Sequence, residues 1–435
     1  MSTQMIGVLA MVGLFGLIML RVPVAIALGV TGFLGYAAVD GWNHAIIALS
    51  STPFDLRDKY SFTVVPLFIL MGVVASRSGM SGELYRAANA AFSGARGALA
   101  MATVGACAGF GAICGSSLAT AATMSRVAIP EMRRLGYSEE LASGTVASAG
   151  TLGAVIPPSL ILIVYAIIAE QGIPQLFAAA LIPGLVGTAL HIGVIVAIGL
   201  IKPDALPKSV AMPISERLGA LAQIWKIVVL FTIAVGGIYS GFMSPTEAAA
   251  VAAFVAIVIA MTTRSLDWRG LLDALLETIW TSTVLFVIVI GAFLFAYFMA
   301  LTQLPVAIRT GMEQLGAAPW VMMLIIVAFY IVLGFFLDGI SMILITVPVF
   351  LPLAEAANYD SVWFGILVLI VVEVGLITPP VGLNIFVIRS QVPDVALGAV
   401  YRGIVPFLWA HAILVAMLLF WPDVALWLPR VLYGN

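Results

Sequence analysis

Charge is what this sequence has least of. Only 9% of its 435 residues are Asp, Glu, Lys or Arg, whereas 63% are hydrophobic. Apolar runs of about 15 to 25 residues recur from end to end, more than a water-soluble core can bury, so the chain is a polytopic membrane protein. The 19 Lys and Arg are scattered among turns and the net charge is −2. With no basic patch carrying interleaved aromatics, nucleic acid is excluded as a partner. Cysteine is nearly absent too: Cys107 and Cys114 lie in a Gly/Ala-rich apolar segment without histidine nearby. A metal site needs more ligands, so they read as small buried residues. The three histidines, His44, His191 and His411, stand alone along the chain, and no proton relay through them is expected. A Walker A sequence and nucleophile motifs are also missing, which argues against ATP-driven pumping and against an intramembrane enzyme. The opening "MSTQMIGVLAMVGLFGLIML" lacks a positive n-region and a small-residue cleavage pattern, and reads as a retained first span.

What is present reads as helix throughout, because lipid leaves backbone groups no other partners in an open chain. Met5–Leu20 and Val24–Val39 pair across Arg21-Val22-Pro23, followed by a polar loop, "DGWNHAIIALSSTPFDLRDKY". Phe62–Ala75 is the next span, and Leu84–Arg96, flanked by charge, reads as an interfacial arm. Gly97–Ile129 is interrupted by "GFGAICGSS"; Leu141–Ala169 contains the adjacent prolines Pro157 and Pro158; Leu176–Leu200 closes the first part. After a Pro-rich linker come Ile224–Tyr239, Thr246–Met261, a second arm Leu266–Thr278, and Thr283–Leu301. Ala318–Leu353, interrupted by "GFFLDGIS", precedes Val362–Ile388 with Pro379-Pro380, and Ile404–Phe420 is the last span. Trp421, Trp427 and Tyr433 read as interfacial anchors.

A constant offset of 222 residues lays Pro130 on Pro352, Tyr137 on Tyr359, Gly153 on Gly375 and Pro157-Pro158 on Pro379-Pro380. This is an internal repeat. The turn "PEMRRLGYSEE" carries Arg133 and Arg134, while its counterpart "PLAEAANYDS" has no Lys or Arg. The positive-inside rule puts these turns on opposite sides, which makes the repeats inverted. Counting onward places Lys202, Lys208, Arg217, Arg264, Arg269, Arg389 and Arg402 in the cytoplasm, provided that each Gly/Ser-interrupted segment is a re-entrant hairpin. Broken helices and hairpins at membrane depth mark the midplane site of a secondary transporter, where helix N-termini favour an anion and freed carbonyls favour a cation.

The stretches "GAICGSSLATAATMSRVAIPEMRRLGYSEELASGTVASAGTLGAVIPPSL" and "VVEVGLITPPVGLNIFVI", together with "RVPVAIALGVTGFLG", closely resemble the large membrane subunit of tripartite ATP-independent periplasmic (TRAP) transporters, and the likeness extends over nearly the whole chain. The resemblance implies an all-α, elevator-type carrier of the bacterial inner membrane: inverted repeats, two re-entrant hairpins and two broken helices. It further implies Na⁺-driven uptake of an organic anion, a periplasmic binding protein that delivers substrate, and a small membrane subunit, expected here as a separate chain. The corresponding division is scaffold 1–61, first repeat 62–200, linker 201–217, scaffold and second arm 218–282, and second repeat 283–435.

The resemblance also implies where ions and substrate sit. Gly115, Ser116, Ser117 and Thr120 would form the cytoplasm-facing tip, with Thr151, Gly153 and the Val155–Pro158 backbone, Pro157 included, completing one Na⁺ site. Gly334, Asp338 and Ser341, with Gly375, Thr378, Pro379 and Asn384, would form another. The anion would lie between the tips, touching Gly115, Ser116, Ser117, Pro158, Asp338, Pro380 and Asn384. Hydroxyls and unwound carbonyls suit a hard cation. Asp338, an ionisable group inside a membrane segment, is either cation-linked or a helix N-cap, or both. Glu373, about one turn before the second break, either tunes that site or pairs with the scaffold. Arg126 reads as snorkelling at the cytoplasmic end of its hairpin. The alternatives are a stand-alone Na⁺- or H⁺-coupled dicarboxylate or citrate-type symporter, and a membrane enzyme for a lipid-linked substrate, whose paired carboxylates or His cluster the sequence lacks. C4-dicarboxylates, keto acids and sialic acids all remain compatible substrates.

Overall fold

The computed structural model describes residues 2–207, 211–314 and 318–434; Lys208, counted above as cytoplasmic, lies outside them. Helix is the only regular structure among the described residues. Among the described residues, seven helices are long and apolar enough to cross a membrane, or eight if one bent pair counts as a span.

The first half comprises α1 (Thr3–Met19), α2 (Val24–Asp40), α3 (Trp42–Asp58), α4 (Val64–Arg77), α5 (Met80–Phe92), α6 (Ala98–Cys114), α7 (Ser117–Arg134), α8 (Glu139–Gly150), α9 (Leu152–Val155), α10 (Leu160–Ile168) and α11 (Ile173–Ile201). The second comprises α12 (Ile214–Ala222), α13 (Trp225–Phe231), a π-helical turn Thr232–Gly236, α14 (Gly237–Tyr239), α15 (Pro245–Thr262), α16 (Trp268–Thr302), α17 (Leu304–Gln314), α18 (Pro319–Leu333), α19 (Gly339–Ala356), α20 (Ser361–Gly375), α21 (Leu383–Gln391), α22 (Leu397–Phe420) and α23 (Asp423–Tyr433).

The repeat seen around the prolines extends to the ends of the chain. At the same offset α7 and α19 coincide residue for residue, α8 and α20 begin together, and α2 falls on α15, α5 on α17 and α11 on α22. The helix caps repeat as well. Ser116 caps α7 and Asp338 caps α19, while Ser138 caps α8 and Asp360 caps α20. Each side-chain oxygen accepts from a first-turn N–H that has no partner in its own helix.

Four expectations are corrected. The polar segment 40–60 is not a loop: most of it is α3, with Pro53 inside the helix, and it is the counterpart of the beginning of α16. The expected second arm and the span after it are one continuous 35-residue helix, because nothing between Thr278 and Thr283 breaks it. At 1.5 Å per residue this helix is about 50 Å long, well beyond the roughly 30 Å of hydrocarbon. The first arm starts and ends earlier than expected, since Gly94 and Gly97 adopt positive φ and turn the chain into the hairpin. The linker is helical from Ile214, and α17 and α23 are additional short helices.

The core is built around α20, buried from Trp363 almost to its end and packed against α10, α11, α18, α19 and α22. By contrast, α1 presents Val8, Leu9 and Val12 outward, as a lipid-facing helix does. Helices α8 and α22 cross where Gly144 meets Gly403: a Cβ on Gly144 would lie 2.2 Å from the Gly403 carbonyl carbon. Small residues of this kind let membrane helices approach closely. Ion pairs brace the same crossing at the surface, Arg133 with Glu139 and Asp394, and Arg402 with Glu140. The halves also interlock, because α10 packs on α19 while α21 packs on α7. Each half-helix beyond a break is thereby held against the other repeat's hairpin.

Candidate substrate and ion site

Hairpin α6–α7 turns at Gly115, in the left-handed region at φ +63°, and at extended Ser116. Its tip docks on the first break. Leu160 N–H donates to the Gly115 carbonyl (3.1 Å), and a Cβ on Gly115 would stand 2.6 Å from the Pro158 oxygen. Behind the tip, a Cβ on Gly111 would stand 2.2 Å from Gly153 Cα. The second hairpin, α18–α19, makes the matching contact, with Gly334 against Gly375 at 2.5 Å for the same construction. Each hairpin therefore meets its broken helix glycine to glycine, with backbone packed directly on backbone.

The prolines free those oxygens. Pro157 and Pro158 carry no N–H, so the carbonyls of Gly153 and Ala154 lose the donors that a continuing helix would supply. At the second break the corresponding carbonyls are recaptured: Thr378 N–H donates to Gly375 O (3.1 Å) and Asn384 N–H to Leu376 O (3.2 Å). Tyr401 adds a hydroxyl that reaches the Pro380 and Val381 oxygens, both at 2.8 Å. Pro157 and Pro158 are buried, whereas Pro379 and Pro380 are exposed. Both Pro-Pro bonds are cis.

The structure brings most of the expected site residues around the tips, with their polar groups committed as follows. Ser116 Oγ accepts from Ala119 N–H at 3.4 Å, and Thr120 Oγ1 lies 3.0 Å from Cys114 Sγ. Gly153 faces Thr120 and the Ser116 carbonyl, with Val155 buried beside it. Asp338 Oδ2 accepts from the N–H groups of Ile340 and Ser341, and Oδ1 accepts the Ser341 hydroxyl. This is the N-cap arrangement, at the position equivalent to Ser116. Thr378 turns its hydroxyl to Val374 O, 2.6 Å away. A cavity of about 50 Å³ joins the tips, lined by Gly115, Ser116, Ser117, Asp338, Gly339 and Leu376. That space suits water or an ion rather than a multi-carbon anion.

Two partnerships were not legible along the chain, and the first gives Glu373 a partner on a hairpin and not on the scaffold. Glu373, fully buried on α20, accepts the Ser117 hydroxyl at 3.0 Å across the repeats. Its Oε2, and both amide atoms of buried Asn384, have no partner among the described residues. A carboxylate so placed needs a compensating cation or proton. The second feature is a histidine pair, which corrects the reading of these residues as isolated. His191 and His411 are buried with ring centroids 4.7 Å apart. Their Nδ1 atoms face the carbonyls of Gly187 and Phe407 (2.7 and 3.1 Å), and a carbonyl cannot donate, so Nδ1 carries the proton. Each Nε2 then lies 3.0 Å from a hydroxyl, Ser148 for His191 and Thr151 for His411. Thr151 Oγ1 also lies 2.6 Å from Ser148 O, so its single proton has two acceptors, the Ser148 carbonyl and His411 Nε2. Only the repeat could have hinted at this pair, since the rings sit on the equivalent helices α11 and α22.

Residues 11–424 match the family described as the tripartite ATP-independent periplasmic transporter, DctM component. The chain belongs to this family. It is 35% identical over 388 residues to the C4-dicarboxylate TRAP transporter large permease protein DctM of Pseudomonas aeruginosa, covering 89% of this chain and 90% of that one. It is 31% identical to the isethionate TRAP transporter permease protein DctMQ of Oleidesulfovibrio alaskensis, covering 94% of this chain and 63% of the other. Among solved structures, the YdaH transporter of Alcanivorax borkumensis superposes with a TM-score of 0.62 at 17% identity, over 88% of this chain and 90% of that one, a likeness of fold. This TRAP large permease is thus a multi-pass protein of the bacterial inner membrane and a transport component, not an enzyme.

Proposed function

We propose that this TRAP permease takes up an organic anion by coupling it to inward Na⁺ flow, with the hairpins and broken helices moving as a transport domain against α1–α5 and α12–α17. The observation that carries the reading is the convergence of both hairpin tips on one small pocket bordered by Ser116, Ser117 and a single aspartate, Asp338. Neutral oxygens with little fixed charge suit Na⁺. Bound cations at the tips would offset the cost of bringing a carboxylate to the membrane midplane. The named substrates of the two relatives, C4-dicarboxylate and isethionate, are organic anions, and this chain's own substrate is drawn from that class. A periplasmic binding protein and a small membrane subunit complete the system; the DctMQ relative, of which this chain spans 63%, fits a small subunit carried on the same polypeptide in that protein.

Partner dependence tests this against the stand-alone symporter. Reconstituted by itself, the chain should take up little free substrate, and adding both partners should restore uptake. Full uptake without them would favour the stand-alone carrier.

A further inference from the structure

Space and charge adjoin the first tip on its other side. A cavity of about 240 Å³ reaches Ser116 and Cys114 at its deep end and runs between α7 and the α4–α16 pair. It shares Val73, Ser76, Thr123, Arg126 and Glu277 with a second cavity of about 490 Å³ that continues to Arg77 and Ser81. Together they form one vestibule leading from the hairpin tip toward the Arg133 end of α7, the cytoplasmic side by charge bias. Unlike the pocket between the tips, it has room for a multi-carbon acid.

Its charges are unevenly paired. Arg77 holds Glu277, Nη2 to Oε2 at 2.7 Å, and lies 3.7 Å from Asp273. Arg77 is therefore fully committed, shared between two carboxylates. Arg126 is exposed and makes no ion pair or hydrogen bond among the described residues. Snorkelling explains a guanidinium that reaches bulk water or headgroups; here it lines a cleft that runs to Ser116 at the candidate site. With Arg77 taken up by two carboxylates, Arg126 is the lining guanidinium whose donors are unused, and a guanidinium binds carboxylates or sulfonates through paired N–H donors.

We propose that Arg126 is an anion-binding residue of this vestibule, seating an oxyanion group of the transported acid while the remainder lies toward Ser116. The inference rests on the organic-anion reading above and gives that substrate a place the inter-tip pocket is too small to provide.

The test uses Ala119→Cys, an exposed vestibule position two helical turns from Arg126, in full-length protein with Cys107 and Cys114 replaced by serine. Rates of modification by an anionic (sulfonatoethyl) and a cationic (trimethylammonioethyl) methanethiosulfonate reagent are compared in detergent. Two turns are about 10.5 Å, so at low salt the anion-to-cation rate ratio should fall about threefold or more on Arg126→Gln. It should survive Arg126→Lys and shrink in high salt. Succinate, against chloride of equal ionic strength, should slow the anionic reagent when Arg126 is present and not in Arg126→Gln. An unchanged ratio in Arg126→Gln, or a changed ratio without succinate protection, overturns the proposal. Absence of Na⁺-driven uptake by the unsubstituted protein with its partners would instead count against the proposed function, while the reagent ratio still decides the role of Arg126.

Discussion

Adding one methyl group at Gly111 should separate the first hairpin from its broken helix. The Cβ would stand 2.2 Å from Gly153 Cα, 3.1 Å from its nitrogen and 3.0 Å from its carbonyl carbon. All three are backbone atoms, so no side chain can swing aside. Carbon atoms in contact settle near 3.5 Å or beyond, which requires the helices to part by about 1.3 Å. The Leu160 N–H bond to Gly115 O, 3.1 Å long, would stretch past hydrogen-bonding range, and the hairpin tip would lose its seat on the break. Overpacking of this kind costs about 1–3 kcal/mol. Gly193 on α11 is the control, because its added Cβ meets nothing within 4 Å; alanine there should stabilise by up to about 1 kcal/mol through helix propensity. Equilibrium unfolding in mixed micelles should rank Gly193→Ala above the parent and Gly111→Ala below it. Gly334→Ala, aimed at Gly375 at 2.5 Å, should fall with Gly111→Ala. If Gly111→Ala unfolds alongside Gly193→Ala, glycine-mediated docking of the hairpins is wrong.

Two further outcomes follow from particular contacts. Ser117→Ala removes the one hydrogen bond that the buried Glu373 carboxylate accepts among the described residues, which should destabilise by about 1.5–3 kcal/mol; in a Glu373→Gln background the same change should cost clearly less, and equal costs in both backgrounds would mean that the pair does not interact. For topology, Gly136→Cys and Asn358→Cys, in the equivalent turns after α7 and α19, should react with membrane-impermeant reagents from opposite sides, and labelling from one side would refute the inversion.

Much of the architecture was legible because lipid limits the options: long apolar runs are helices, and Gly, Ser and Pro inside them mark tips and breaks. The hairpins at Gly115 and Asp338 and the breaks at the two Pro-Pro pairs were read this way. Polarity misled where a helix is not meant to be buried. Helix α3, with Asn43, Ser50, Ser51, Asp55 and an internal Pro53, has the composition of a loop, and only its equivalence to the start of α16 gives it away. Tertiary partners far apart in sequence left no local trace. Glu373 finds Ser117 256 positions away, and His411 finds Thr151 at a separation of 260. The glycines chosen as ion-site residues from the resemblance, Gly153, Gly334 and Gly375, have a packing reason of their own.

Na⁺-driven uptake by the complete system measures the central claim most directly. Proteoliposomes holding this chain and its small membrane subunit, with binding protein and labelled organic acid outside, are given an inward Na⁺ gradient and an inside-negative K⁺ diffusion potential. If Na⁺ ions exceed the substrate's charge, each net positive charge moved inward gains about 2.3 kcal/mol per 100 mV. Uptake should then rise with external Na⁺ and with the potential, and both Ser117→Ala and Asp338→Asn should weaken the Na⁺ dependence. Uptake that persists unchanged when choline replaces Na⁺ and follows a proton gradient instead would contradict Na⁺ coupling.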